Sequence, residues 1–142
     1  MLKILIAEDD FISRRFLYKV LAKYGECDLV VDGLEVIDAY MMAKEENAPY
    51  DLICLDIMMP KIDGVKVLKA IRDLEMQSEI PNQKRAKIIM TTAVAEKDVI
   101  QQALELGCDA YAAKPIDIDK LVEVMKKLEL IDWNEKATKK YK

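Results

Sequence analysis

Short apolar segments alternate with longer amphipathic segments along most of this chain. The apolar segments lie at residues 3–7, 27–31, 50–55, 87–91 and 110–113. Continuous apolar runs of this length are typical of strands covered on both faces, which occur in parallel sheets. The sequence therefore predicts five parallel strands, and it disfavours an antiparallel sheet with one face in water.

The segments between these runs carry apolar residues at helical spacing, so helices are expected at residues 12–24, 34–43, 64–74, 96–106 and about 118–130. The residues predicted to face the core are Ile12, Phe16, Leu17, Val20, Leu21 and Tyr24 in the first helix, which Gly25 would end, and Val36, Ile37, Tyr40 and Met41 in the second. Helices on both faces of a five-stranded parallel sheet predict a flavodoxin-like α/β fold with strand order 2-1-3-4-5. The polar stretch at 76–86 is expected to be a long loop or a frayed helix end.

The composition excludes several kinds of chemistry. The chain has no histidine, which removes histidine-based acid–base catalysis and histidine metal ligands. Cys27, Cys54 and Cys108 lie far apart without a CxxC pair, so we expect three small buried thiols and neither a zinc site nor a disulfide.

The charge and length limit the class of protein further. The net charge is −4, and residues 132–142 hold four lysines and two acidic residues, so residues 1–131 carry −6. An acidic domain does not suit nucleic-acid binding, and no apolar run approaches the ~20 residues that span a bilayer. We therefore expect one cytoplasmic globular domain at residues 1–131, followed by a polar tail at 132–142.

Polar side chains follow four of the predicted strands. They are Glu8, Asp9 and Asp10 after the first strand, Asp56 after the third, Thr91 and Thr92 at the fourth, and Lys114 after the fifth. Ligands of open parallel sheets bind at the carboxyl ends of the strands, so these side chains are expected to meet. Converging carboxylates repel each other and favour a hard cation such as Mg²⁺. A carboxylate beside such a cation can act as a nucleophile towards a phosphoryl group.

Together with Met58-Met59-Pro60, Gly64, Thr92-Ala93 and Lys114-Pro115, these residues resemble the receiver domain of two-component response regulators over residues 2–130. The resemblance implies that Asp56 accepts a phosphoryl group from a histidine kinase or a phosphotransfer protein. It implies that Glu8, Asp9, Asp56 and the backbone carbonyl of Met58 hold Mg²⁺, for which Mn²⁺ can substitute. It further implies that Thr92 is the switch hydroxyl, Lys114 the phosphate-pairing cation and Tyr111 the switch aromatic. Pro115 matches a proline that usually follows a cis peptide bond.

The same resemblance implies a signalling protein and not a metabolic enzyme, and because the chain has no room for a second domain after helix 5 we expect it to act as a stand-alone receiver. Such a protein catalyses its own phosphorylation, from phosphohistidine or a small phosphodonor, and its own slow dephosphorylation. The dephosphorylation is expected to be slow because Met58 and Val94 are apolar and cannot orient water. Phosphorylation would change the face formed by helix 4, strand 5 and helix 5. This change would control a protein partner, without membrane or nucleic-acid contact; whether it also drives homodimer formation is left open.

Three other classes of protein stay open at this point. An aspartyl-phosphate hydrolase would place a second acid two residues after Asp56, where this chain has Met58. A flavin-binding module would need a hydroxyl- and glycine-rich loop after strand 1, where Glu8, Asp9 and Asp10 would repel a phosphate. A receiver-like module that is never phosphorylated would usually have lost site residues, and this site is intact.

Overall fold

The computed structural model describes residues 1–93 and 97–132, which form a parallel sheet with strand order β2-β1-β3-β4-β5. The strands are β1 (Leu2–Ala7), β2 (Gly25–Val30), β3 (Leu52–Asp56), β4 (Lys87–Thr92) and β5 (Ala110–Ala113). The helices are α1 (Phe11–Leu21), α2 (Gly33–Glu45), α3 (Gly64–Gln77), α4 (Lys97–Glu105) and α5 (Ile118–Lys127). This architecture confirms the predicted α/β fold and strand order. No helix in the described ranges has the length and apolar character to cross a membrane.

Two apolar cores lie on opposite faces of the sheet because successive strand residues point to opposite sides. Leu5, Ile53 and Ile88 belong to the core that includes residues of α2, α3 and α4. Ile4, Cys54 and Ile89 belong to the core that includes residues of α1 and α5. Every residue of the central strand β3 is buried, as a continuous apolar run predicts. Each fully buried Leu or Ile contributes about 1.5–3 kcal/mol to folding.

An aspartate caps the amino end of four helices. The capping residues are Asp10 for α1, Asp32 for α2, Asp63 for α3 and Asp117 for α5, and each side chain accepts a hydrogen bond from a first-turn amide. Such a bond satisfies an amide that has no partner within the helix, and the negative charge is favourable at the positive end of the helix dipole. Part of the chain's acidity is therefore structural.

The predicted extent of the first helix is wrong at its carboxyl end. Helix α1 ends at Leu21, and Gly25 begins β2. A Cβ at Gly25 would lie 2.3 Å from the carbonyl oxygen of Leu2, so this glycine permits the close approach of β1 and β2. Gly25 is therefore required for the pairing of β1 with β2, and it does not end α1.

The buried stripes of α1 and α2 are narrower than predicted. Ile12, Phe16 and Met41 are 75%, 38% and 44% exposed, although the helical spacing places them towards the core. Helical spacing identifies one face of a helix but not how much of that face its neighbours cover. Cys27 is only half-buried, because it lies on the edge strand β2; Cys54 and Cys108 are buried as expected.

The polar stretch at 76–86 is an extension of α3 to Gln77, followed by a loop with a short 3₁₀ turn at Asn82–Lys84. A set of charged contacts, here called the Arg72 network, anchors this loop. Arg72 donates to buried Glu75 at 2.6 Å, to Asp109 at 2.9 Å and to the Ala86 carbonyl at 2.9 Å. Glu75 accepts from the Ala86 amide at 2.9 Å, and Asp109 accepts from the Ile88 amide at 2.8 Å. The network ties α3 to the amino ends of β4 and β5.

Candidate functional site

Three carboxylates meet at the carboxyl ends of β1 and β3. One carboxylate oxygen from each of Glu8, Asp9 and Asp56 lies within 4.8 Å of the other two. Glu8 and Asp56 are buried, whereas Asp9 is exposed. The acidic cluster expected from the sequence is therefore formed, because parallel pairing of β1 with β3 aligns the ends of these strands.

Glu8 is fully buried and has two distinct partners. Its Oε2 accepts a hydrogen bond from the Asp10 amide at 3.1 Å, and its Oε1 forms an ion pair with Lys114 Nζ. Burial raises the pKa of Glu8; Lys114 opposes this shift, and the Asp56 carboxylate adds to it. The fold thus holds Glu8 in place but leaves its negative charge poorly solvated.

Asp56 is also buried and is held from two sides. Its Oδ1 accepts from the Met58 amide at 3.1 Å, and its Oδ2 lies 3.1 Å from Lys114 Nζ. Burial alone would lower the pKa of Lys114, but its contacts with Glu8 and Asp56 raise it above the ordinary value. The lysine is therefore a firmly protonated cation that bridges two of the carboxylates.

The end of β5 brings Lys114 to the site. The Lys114 amide donates to the Thr92 carbonyl at 2.7 Å, which extends the pairing of β4 with β5. The Lys114–Pro115 peptide bond is cis, as the resemblance implied.

Two hydroxyls lie at the end of β4. Thr91 pairs with Asp56 in the register of β3 and β4, and Thr92 pairs with Ala113, immediately before Lys114. Both threonines are buried. Among the described residues, the Thr91 hydroxyl has no hydrogen-bond partner.

The loop after β3 is fixed against the amino end of α2. The Gly33 amide donates to the Pro60 carbonyl at 3.3 Å, and Lys61 forms an ion pair with Asp32 at 3.4 Å. Met58, at the start of this loop, has a side chain that is 73% exposed. The loop therefore presents an apolar side chain to solvent while the backbone amide of Met58 holds Asp56.

Arg14 is a site neighbour to which the sequence motifs do not point. It lies on α1, and its Nη1 donates to the carbonyl oxygens of Glu8 at 2.9 Å and Asp9 at 3.2 Å. Helical side chains lean towards the amino end of their helix, so an arginine in the first turns of α1 can reach back to the acidic pair. That spacing is the only signal in the sequence that could have indicated this role.

Tyr111, the expected switch aromatic, does not belong to the carboxylate cluster. Tyr111, on β5, is 46% exposed and lines an open groove of about 630 Å³ with residues of α5 that include Leu121 and Val124. Val94 and residues 133–142 of the expected tail lie outside the described residues.

The sequence pattern of the response regulator receiver domain family matches residues 4–126. The chain belongs to this family. Receiver domains serve two-component signalling, in which they work with histidine kinases or phosphotransfer proteins, and they bind a divalent metal at an acidic pocket. The expected family and fold are thus confirmed.

Individual relatives are similar over most of this chain. Sporulation initiation phosphotransferase F of Bacillus subtilis is 33% identical over 126 residues, which cover 88% of this chain and 91% of that protein. Hybrid signal transduction histidine kinase G of Dictyostelium discoideum is 37% identical over 84% of this chain. The chain spans only 3% of that kinase and 7% of the related kinase I.

Solved structures of receiver domains superimpose well on the sheet and helices. The receiver domain of Ssk1 from Saccharomyces cerevisiae, in complex with the histidine phosphotransfer protein Ypd1, aligns with a TM-score of 0.75 and 25% identity over 94% of each chain. The Mn²⁺-bound form of response regulator Rcp1 aligns with a TM-score of 0.70 and 26% identity, covering 96% of this chain and 99% of that one.

Proposed function

We propose that this receiver domain is a phosphoryl-accepting switch in which Asp56 takes a phosphoryl group from a histidine kinase or a phosphotransfer protein. The observation that carries the proposal is the setting of Asp56: a buried carboxylate held by the Met58 amide, with Lys114 Nζ 3.1 Å from its other oxygen. A nucleophile needs to be oriented and to have a cation near the attacked group, and this arrangement provides both.

The transfer step follows from these contacts. One Asp56 oxygen forms a bond to phosphorus while the phosphorus–nitrogen bond to the donor's imidazole breaks, and the imidazole leaves with the electron pair. Lys114 is protonated and lies beside Asp56, so it pairs with one phosphoryl oxygen of the product. We assign to the Thr92 hydroxyl a hydrogen bond to a second phosphoryl oxygen.

The same acidic cluster fits a divalent cation. Glu8, Asp9 and Asp56 offer only oxygen donors, which suit Mg²⁺, with Mn²⁺ as a substitute, and we add the Met58 carbonyl to this set. When bound, the cation neutralises charge on the carboxylates and on the phosphoryl group. Within the described residues, Lys114 is the only cationic side chain that contacts these carboxylates.

An exposed apolar surface beside the site supports a protein as the phosphoryl donor. Phe11, Ile12 and Phe16 on α1 are exposed. Ile12 and Phe16 line a pocket of about 290 Å³ that also reaches Glu8 and Lys114. A small phosphodonor needs no such surface, whereas a protein donor must dock next to Asp56 to deliver its phosphoryl group. We propose that the donor protein covers this face of α1.

We assign the signalling surface to α4, β5 and α5, on the other side of the site from α1. We propose that phosphorylation draws Thr92 towards the phosphoryl group and that Tyr111 then turns inwards. These movements would change the face formed by α4, β5 and α5, and this change would control a downstream protein. If the same face also binds a second copy of the chain, phosphorylation would form a homodimer. Both Met58 and Val94 are apolar, so the phosphorylated state is expected to be long-lived. We assign the receiver domain to residues 1–131 and a polar tail to 132–142, and a cytoplasmic location stays a prediction.

The proposal is tested by incubation with acetyl phosphate and Mg²⁺, with phosphorylation read by intact mass. We expect one added phosphoryl group on the wild-type chain, none on Asp56→Asn and none after chelation of the metal. Asp10→Asn is a matched control, because asparagine also caps helices and Asp10 lies outside the carboxylate cluster. No added mass on the wild type, or an added group that persists in Asp56→Asn, would contradict the assignment.

A further inference from the structure

We infer that Arg14 is a positioning residue that holds the acidic turn in the conformation needed to bind a divalent cation. This inference rests on the proposed function of Glu8, Asp9 and Asp56 as the metal-binding acids. It concerns a residue outside that set and a contact to the backbone of the acids, not to their carboxylates.

The acidic turn, residues 8–10, is short, and apart from the Arg14 side-chain contact its hydrogen bonds lie at Glu8 and Asp10. Strand β1 ends at Ala7 and α1 begins at Phe11, so the two acids lie in a three-residue connection. Within it, the Glu8 amide pairs with the Val30 carbonyl at 3.1 Å. The carbonyl oxygens of Glu8 and Asp9 are bound by a single guanidinium nitrogen, at 2.9 and 3.2 Å. Fixing two successive carbonyls restricts the backbone torsions between them, and these torsions set the direction in which the Asp9 side chain points.

Asp9 depends on this backbone restraint more than its neighbours do. The Glu8 carboxylate is held by Lys114 and the Asp10 amide, and the Asp56 carboxylate by Lys114 and the Met58 amide. The structure gives the Asp9 carboxylate no hydrogen bond or ion pair of its own within residues 1–93 and 97–132. Its position near the other two acids therefore follows from the path of the main chain, which Arg14 fixes.

Arginine suits this role better than lysine. Its guanidinium is planar, stays protonated and holds its N–H groups in a fixed geometry, so the nitrogen that binds both carbonyls keeps one orientation. The Arg14 guanidinium carbon also lies 5.7 Å from the centre of the Phe11 ring, within the range of a cation–π contact. Its charge lies next to a run of three acids and partly offsets their mutual repulsion.

The test measures metal binding directly, without phosphorylation. Mn²⁺ binding to the full chain is followed by electron paramagnetic resonance, and Mg²⁺ binding by calorimetry, for wild type, Arg14→Gln, Arg14→Lys and Arg15→Ala. Arg15 is the matched control, because it is an exposed arginine next in sequence on the same helix. We expect Arg14→Gln to weaken metal binding about five- to thirty-fold, the range of a 1–2 kcal/mol change. Arg14→Lys should weaken binding less, and Arg15→Ala by no more than about twofold.

The outcomes separate this inference from the proposed function. Wild-type affinity in Arg14→Gln, or an equal loss in Arg15→Ala, would overturn the role of Arg14 while leaving the metal site intact. Wild-type affinity in Arg14→Lys would show that the fixed guanidinium geometry is not needed, which overturns the positioning role assigned to Arg14. If the wild type bound neither metal, the proposed metal site would fail and this inference with it. Thermal unfolding of each variant, measured without metal, shows whether any loss of binding merely follows a loss of folding; if Arg14→Gln does not fold, Arg14→Lys decides.

Discussion

Two charged clusters in the described part of the molecule differ in how completely their charges are paired. In the Arg72 network, at the amino ends of β4 and β5, one guanidinium binds Glu75, Asp109 and two backbone carbonyls, and both acids accept an amide as well. At the carboxyl ends, one lysine pairs with two of three carboxylates, and within the described residues the third, Asp9, has no side-chain partner. In the first cluster every charged group is paired, so its role is structural. The second has an excess of negative charge that a cation can balance.

This difference in charge pairing suits the two clusters to different roles, one structural and one ligand-binding. A buried charge that is fully hydrogen-bonded fixes the position of the elements that carry it, but it has no capacity left for a ligand. A cluster with unbalanced charge makes the folded state less stable, which a bound ligand then reverses. Burial is the main cause of the raised pKa of Glu8, and the nearby Asp56 carboxylate adds to it.

The largest effect is expected from breaking the Arg72 network. Arg72→Ala leaves Glu75 buried without its cation, and removal of one partner of a buried ion pair costs about 3–5 kcal/mol. Urea unfolding measures this loss. Lys69→Ala on the same helix is the control, because the exposed Lys69–Asp73 pair contributes about 1 kcal/mol or less. Equal effects of the two substitutions would show that the network is not a structural anchor.

A cation is expected to stabilise the fold through the carboxylate cluster. At a Mg²⁺ concentration 100 times the dissociation constant, the free energy of unfolding should rise by about 2.7 kcal/mol. Asp9→Asn should reduce this gain strongly, and Arg72→Ala should leave it unchanged, once each is compared with its own metal-free stability. Thermal or urea unfolding with and without Mg²⁺ measures the gain. A gain that Asp9→Asn retains in full would place the cation elsewhere.

The smallest of these effects concerns Glu8 in the metal-free protein. Because its pKa is raised in the folded state, folding retains the proton at pH values where the unfolded chain has lost it. Its contribution to stability therefore falls as pH rises from the unfolded value near 4.5 through the raised folded value. Glu8→Gln should remove this dependence and raise stability at neutral pH, because the buried side chain then carries no charge. Stability that falls equally with pH in both proteins would contradict this explanation.

Much of the fold and the site could be predicted from the sequence. The apolar runs predicted five parallel strands because a doubly covered strand excludes polar residues from both faces. Acids, a threonine pair and a lysine at strand ends predicted a shared edge, and the structure brings Glu8, Asp9, Asp56 and Lys114 together there. The burial of Ile12, Phe16 and Met41 was predicted wrongly, because helical spacing indicates a face but not how far the sheet extends beneath it.

The sequence by itself thus determined the order of strands and helices, the fold class and which residues reach the ligand-binding edge. These properties depend on short stretches of sequence, in which the spacing of apolar residues determines whether a strand or a helix forms. Only the tertiary structure decided how the charges pair: Arg72 binds Asp109, 37 residues away, and Lys114 binds Asp56, 58 residues away. Such contacts depend on how elements that are distant in the sequence pack against each other, and the periodicity of apolar residues does not predict that packing.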